Sequence, residues 1–271
     1  MNRVKRGITC ATHIFLGNLK RFMLLSISLT LPIILACVHL QAECRKDACW
    51  PAFDYDRKAA QTDGSYVKAR VTGPQGKTAH DTVDARTMTA ADGKLQVRLD
   101  GKRYRLFPAE EYAVRLTNLS KTEPTGVIAN FRSLALSVGK PESANTVTLN
   151  VLRGSTCKAS DFVPEAFSIE SGKERILTTA CGRSSNDYIP FLELNLDDRN
   201  GYLFAIGWTG SWKARFANTG KAVEVEIGME RTNFRLLPGE TVRQPSVLVF
   251  VRKNQTRQAF KTAVHRFMLE N

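Results

Sequence analysis

The sequence predicts an all-β protein, a large antiparallel sandwich followed by a short C-terminal helix. Three observations carry that prediction. Apolar and polar residues alternate with period two in run after run between about residues 95 and 250. Glycine next to Asp, Asn, Thr or Pro separates those runs, and only the last residues show a helical period. Alternation of this kind puts one face of a strand in a core and the other in water. Many such strands with few helices pack as two layers of antiparallel sheet.

The elements follow in order. Residues 43–75 are polar and irregular, with weak strand signals, and are expected to wrap the sandwich edge. Leu95, Val97 and Leu99 alternate with Gln96, Arg98 and Asp100, and Tyr112, Val114 and Leu116 repeat the pattern. Val147, Leu149 and Val151 form a third run, and Leu192, Leu194 and Leu196 a fourth. Val223, Val225, Ile227 and Met229 alternate with Glu224, Glu226 and Glu230 along their strand. Turns are expected at Asp92-Gly93, Asp100-Gly101, residues 197–201, Thr219-Gly220 and Pro238-Gly239. Ser246–Val251, SVLVFV, is apolar on both faces and reads as a central strand. Together, residues 43–254 make one β-rich domain, a length that sandwiches reach as single units. In residues 255–271 Ala259/Phe260, Ala263/Val264 and Phe267/Met268 recur every four positions, an apolar stripe on a helix with Thr256 as N-cap. That stripe is expected to pack against the sandwich or a following domain.

Residues 1–42 stand apart. Arg3, Lys5, Arg6, Lys20 and Arg21 precede the apolar run Phe22–Leu40, and no acid occurs before Glu43. This is the layout of a secretory signal. Cleavage after Ala42 fits best; lipoprotein processing at Cys37 and an uncleaved membrane anchor are the alternatives. Each places the remainder outside the cytoplasm, periplasmic or secreted, with membrane contact only through the leader or a lipid. Without the five basic residues of the leader the net charge falls from +13 to +8. The remaining charges are interspersed with acids and form no aromatic-interleaved basic stripe, which argues against nucleic-acid binding.

With Cys10 and Cys37 in the leader, Cys44, Cys49, Cys157 and Cys181 remain. In an oxidising compartment the economical pairing is Cys44–Cys49 with Cys157–Cys181, one of three connectivities. The second bridge would contribute roughly 3 kcal/mol. No metal is expected, because there is no CxxC and His80 and His265 are far apart in sequence. Nor is a cofactor: no P-loop and no GxGxxG occurs. A serine nucleophile lacks its GxSxG elbow. Glu110-Glu111 and Asp197-Asp198 are sequence neighbours that would face opposite sides of a strand, whereas acid/base work needs two carboxylates across one gap. Asn118-Leu119-Ser120 and Asn254-Gln255-Thr256 are formal glycosylation triplets.

The stretch GYLFAIGWTGSWKARF, residues 201–216, holds two of the three tryptophans. With Thr209-Gly210 as the tip of a two-residue hairpin, Phe204, Ile206 and Trp208 share a face with Ser211, Lys213 and Arg215. Trp212 then lies in an apolar row with Ala214 and Phe216 and is expected in the core. Trp208 falls at a sheet rim, where its ring can stack on a ligand or a partner.

Five segments resemble, in order, the N-terminal sandwich of glycoside hydrolase family 36, the α-galactosidases and relatives. They are LFPAEEYAVRLTNLSKTEPTGVIANFRSLAL (106–136), LRGSTCKASDFVP (152–164), GRSSNDYIPFLEL (182–194), AIGWTGSWKARF (205–216) and GMERTNFRLLPGETVRQPSVLVF (228–250). The terminal AVHRFMLEN is similar to that family's linker helix. The resemblance implies a supersandwich ahead of a (β/α)₈ barrel that hydrolyses terminal α-galactosides with retention. Both catalytic aspartates belong to the barrel, which needs about 250 further residues. No catalytic residue can therefore be assigned, and the chain by itself is expected to be inactive, a domain without its barrel. In the family the sandwich supports the barrel, and some members lend an aromatic to the sugar site; Trp208 and Trp50 are the candidates here. The expected partners are a catalytic barrel or a galactoside-type carbohydrate. The alternative is a stand-alone carbohydrate-binding or protein-interaction module.

Overall fold

The computed structural model describes residues 50–56, 58–59, 69–71, 82–140 and 144–271, with Trp50, residues 58–59, 69–71 and 82–84 described by backbone alone. The leader, Cys44, Cys49 and His80 lie outside the described residues. In chain order the strands begin with β1 (Trp50–Tyr55), β2 (Lys58–Ala59), β3 (Ala69–Val71), β4 (Thr82–Thr89) and β5 (Leu95–Tyr104). Then come β6 (Ala109–Asn118), β7 (Ile128–Gly139), β8 (Thr146–Leu152), β9 (Pro164–Glu170), β10 (Glu174–Thr178) and β11 (Phe191–Asn195). The last are β12 (Gly201–Gly207), β13 (Trp212–Asn218), β14 (Ala222–Met229), β15 (Asn233–Phe234), β16 (Thr241–Arg243) and β17 (Ser246–Arg252), before helix α1 (Arg257–Glu270).

Among the described residues these strands form two antiparallel sheets, as the alternation predicts. A seven-stranded sheet runs β10-β13-β14-β7-β1-β2, with β15 on β7; a ten-stranded sheet runs β3-β4-β5-β6-β17-β12-β11-β8-β9, with β16 on β6. Their inner faces share one core. Leu95, Val97 and Leu99, Val114 and Leu116, Val247 and Val249, and Phe204 come from one sheet. Phe131 and Leu134, Trp212 and Phe216, and Val223, Val225 and Ile227 come from the other. Each such buried side chain adds about 1.5–3 kcal/mol. β17 occupies the middle of the larger sheet, which explains its two apolar faces: Val247 and Val249 point into the sandwich, while Phe250 and Leu248 meet the helix.

Three local expectations are corrected. Asp100-Gly101 makes no turn and lies inside β5, where Gly101 pairs with Tyr112. The Asp100 carboxylate accepts from Arg98 at 2.7 Å and from Arg115 of the neighbouring strand, so the solvent face of the sheet satisfies a residue that ordinarily disfavours strands. The region 43–75 does more than wrap an edge, because β1 lies between β7 and β2, and its Phe53 is buried and stacked 5.3 Å from Phe131. Register shifts on either side of Ala52 break the alternation that would have revealed this strand.

The third correction concerns residues 201–216, which form no hairpin. β12 pairs with β11 and β17 in the larger sheet, and β13 pairs with β10 and β14 in the smaller. Trp208-Thr209-Gly210-Ser211 is a crossing from one sheet to the other. Phe204 and Phe216 consequently face each other across the interior, rings 5.8 Å apart at 62°.

Helix α1 covers the outer face of the ten-stranded sheet. Thr256 is its N-cap, with Oγ1 accepting from the Ala259 N–H at 3.3 Å, and the Asn271 N–H closes the last turn on the Phe267 carbonyl. Phe267 inserts among Tyr104, Phe107 and Phe250 at centroid distances of 4.7, 5.2 and 5.6 Å, all close to perpendicular. Phe260 meets Phe250 at 5.5 Å. Edge-to-face packing of this kind adds about 0.5–1.5 kcal/mol per pair beyond area burial.

Candidate functional site

Arg252, at the end of β17, ties the sheet to the start of the helix. Its guanidinium is buried, and it donates to the carbonyls of Asp198 (2.7 Å), Asp197 and Asn200 (both 3.1 Å) and to Asn195 Oδ1 (2.5 Å). Burial lowers its pKa, with the Glu193 carboxylate opposing that shift. Asp197 shapes the adjoining turn by accepting from the backbone of Arg199 and Asn200, as the turn chemistry predicts, and so forms no acid/base pair with Asp198. Glu110 is likewise engaged, with Arg103 at 2.5 Å and with the Tyr112 hydroxyl.

Trp212 lies in the core as expected, though for a different topological reason. Trp212 is fully buried; its backbone N–H donates to Thr179 Oγ1 at 3.1 Å and its indole N–H to the Ser184 carbonyl at 2.7 Å. Trp208 is half-buried against the core, and its ring folds back over its own turn. A Cβ on Gly210 would lie 2.8 Å from the Trp208 indole nitrogen, so a larger residue there would displace the ring. Trp50 pairs through its backbone with Ala135; its side chain lies outside the described residues.

Beside the crossing lies a polar cleft of about 420 Å³, between the β8–β9 loop and the β10–β11 loop. Main-chain bonds lock the two loops together: the Gly154 N–H donates to the Asp187 carbonyl at 2.9 Å and the Ser155 N–H to the Ser185 carbonyl at 2.8 Å. Gly154 is required for this approach, since a Cβ there would fall 2.2 Å from the Ser185 carbonyl oxygen. Asp161 organises the first loop by accepting from the Thr156 and Lys158 N–H groups and from the Ser155 hydroxyl, each at 3.1 Å. The Thr156 N–H, helped by the other donors and opposed by partial desolvation, holds its carboxyl below the usual range. Asp187 organises the second, accepting through Oδ2 from the Ala180 N–H at 2.6 Å and the Asn186 amide at 3.2 Å. The Ser184 N–H donates to the Thr209 carbonyl, which joins this loop to the tryptophan crossing.

The Cys157–Cys181 bridge expected from the sequence is not formed: both thiols are free and exposed. Each sits at a left-handed position, φ 63° and 58°, one in each loop. The backbone bonds described above already hold the loops together, without the sulfur atoms. Asn118, of one formal glycosylation triplet, faces inward. It is buried, and its amide donates to the carbonyls of Glu123, Leu236 and Leu237, which leaves nothing for a glycan. Among the described residues no group of three or more His, Cys, Asp or Glu is placed to hold a metal ion.

A second surface runs along the helix. An apolar groove of about 540 Å³ lies between α1 and the outer face of β8, β9, β11 and β12, with Leu152, Phe191, Phe260, Val264 and Met268 among its walls. At its rim Arg257 grips Glu193 with two hydrogen bonds, at 3.1 and 2.8 Å. Met268 and Leu269 remain 58% and 76% exposed at the end of the helix. The sequence stripe found the helix. It did not find the cleft, whose residues come from turn segments with no periodicity to report them.

No protein-family profile matches the chain, and no curated protein matches it in sequence. Solved structures do match in fold. The α-galactosidase AgaA of Geobacillus stearothermophilus, a variant in complex with stachyose, is 15% identical with a TM-score of 0.59, over 80% of this chain and 31% of that one. The α-galactosidase of Lactobacillus brevis is 13% identical with a TM-score of 0.58, over 77% and 28%. The α-N-acetylgalactosaminidase NagBb of Bifidobacterium bifidum is 12% identical with a TM-score of 0.50, over 83% and 34%. The chain thus spans about a third or less of these enzymes, and it shares with them the sandwich fold that the sequence resemblance implies.

Proposed function

We propose that the chain is the non-catalytic N-terminal domain of an exported α-galactosidase-type glycoside hydrolase, acting as scaffold and active-site rim for a (β/α)₈ catalytic barrel. The observation that carries this reading is the partial match. One sandwich accounts for most of this chain and only a minor share of each galactoside-active enzyme. Two features support it. The helix that ends the sandwich leaves Met268 and Leu269 open to solvent, an apolar end suited to burial against a further domain. The engaged carboxylates Glu110 and Asp197 leave no acid/base couple in either pair considered from the sequence. Export rests on the basic and apolar leader in residues 1–42.

The test is to mix the purified chain with a purified (β/α)₈ barrel of the α-galactosidase type and assay p-nitrophenyl α-galactoside. The chain alone should give no turnover, while the mixture should associate and raise the thermal midpoint of the barrel. Met268→Asp should weaken that association. Turnover by the chain alone, or no association with the barrel, would overturn the proposal.

A further inference from the structure

The scaffold reading uses the exposed end of α1 and leaves the apolar groove beside the helix unassigned. We infer that this groove is a binding site for a single-chain amphipathic carboxylate, a fatty acid. Three observations lead there.

The first is an apolar shelf on the side of the sheet that turns away from the core. Residues directly opposite each other on paired strands share one side. Leu203 stands opposite Glu193, Glu193 opposite Asn150, and Asn150 opposite Ala166. Phe191 stands opposite Ala205, and Leu152 opposite Pro164. All of these face outward, because their strand neighbours Leu149, Val151, Leu192, Leu194 and Phe204 are buried in the core. Only Glu193 and Asn150 among them are polar, although the outer face of an antiparallel sheet is ordinarily the polar one.

The second is shape. Helix α1 closes the shelf on one side only, where Leu203 and Leu248 join the cluster of Phe250, Phe260 and Phe267. Leu152 and Phe191 stay 40% exposed and Met268 58%, around about 540 Å³ of largely apolar space. A concave slot of that volume suits one small molecule. Fifteen residues line it, fewer than the roughly 20–30 a side of a stable protein interface.

The third is charge. Both acids that line the groove are in ion pairs, Glu193 with Arg257 at 2.8 Å and Glu165 with Arg153 at 3.2 Å. Lys261 lines the groove one turn along α1 from Arg257, and His265 lines it one turn further. The helix wall therefore carries positive charge beside an apolar floor. That arrangement complements a carboxylate on an alkyl chain, whereas a cationic amphiphile would bring like charge to Lys261.

The test uses the purified full chain with no barrel and no activity assay, so its outcome is separate from that of the scaffold reading. Dodecanoate, octanoate and dodecyltrimethylammonium, each below its micelle concentration, are titrated by calorimetry, with phosphatidylglycerol vesicles as the membrane comparator. Dodecanoate should bind at least about tenfold more tightly than octanoate, because four further methylenes are buried. It should exceed the cationic amphiphile by a similar factor and raise the unfolding midpoint. Phe191→Thr should weaken dodecanoate about tenfold and Lys261→Met about fivefold, each with an unchanged circular dichroism spectrum, while Lys261→Arg retains affinity. The inference is overturned if dodecanoate does not bind at submillimolar concentration or lowers the midpoint. It is equally overturned if the cation binds as tightly, if chain length has no effect, if vesicles are bound in preference, or if affinity survives both Phe191→Thr and Lys261→Met.

Discussion

The helix-covered face of the larger sheet and the cleft beside the tryptophan crossing are assembled by opposite means. On the first, Tyr104, Phe107, Phe250, Phe260 and Phe267 bury apolar surface against one another. In the second, apolar burial is slight, and the loops are positioned by backbone donors and two carboxylates. Burial is non-directional and grows with area, so the helix face tolerates small displacements. Hydrogen bonds are directional, and the cleft therefore has a single arrangement of its walls. The same contrast explains what each region can do: the aromatic face resists change and positions the end of the chain, while the cleft presents oriented polar groups.

If this contrast is right, damage to one region should leave the other intact. Phe267→Ala removes the ring at the centre of three aromatic contacts and should cost about 3–5 kcal/mol, measured by urea unfolding. The alkylation rate of Cys157 under native conditions should not change. A rise would show that the two regions are coupled and break the comparison. Gly154→Ala drives a Cβ into the Ser185 carbonyl and should cost about 2 kcal/mol. Its signature should be faster alkylation of both thiols, with amide exchange in α1 unaltered.

Smaller effects sharpen the picture. Thr256→Ala deletes the helix cap and should cost about 1 kcal/mol, visible as faster amide exchange in the first turn of α1 alone. The smallest effect is expected from acid. Because the folded-state pKa of Asp161 is depressed, the support it gives its loop is complete above the usual carboxylate pKa of about 3.9. That support is lost as pH falls through the lower folded value. Mixed-disulfide formation between Cys157 and an acid-tolerant disulfide reagent should therefore quicken over that window in the wild-type chain and show no such step in Asp161→Asn.

Most strands were legible because their alternation is local. Leu95–Leu99, Tyr112–Leu116, Val147–Val151 and Val223–Met229 each show their buried face within a few residues, and those faces are buried as read except at Met229, which is half-buried. β17 was legible even as a central strand, since only a strand covered on both sides can be apolar on both. β1 escaped because bulges on either side of Ala52 spoil its period, and Asp100-Gly101 misled because a turn dipeptide can also lie within a long strand when arginines satisfy the aspartate. Of the cleft, the sequence showed only turn-rich segments. Its walls come from two loops, distant in sequence, that meet through backbone bonds.

Residues 201–216 mark the boundary between the two kinds of information. The sequence by itself determined that 201–207 and 212–216 are strands, which side chains of each are apolar, and that Trp212 is buried. Only the tertiary structure decided that these strands belong to different sheets. Alternation fixes which face of a strand avoids water, whereas the neighbours it pairs with are chosen by other segments, β17 and β11 for the first strand and β10 and β14 for the second. The hydrophobic faces are therefore written residue by residue, and the pairing emerges only when the two sheets close on one core.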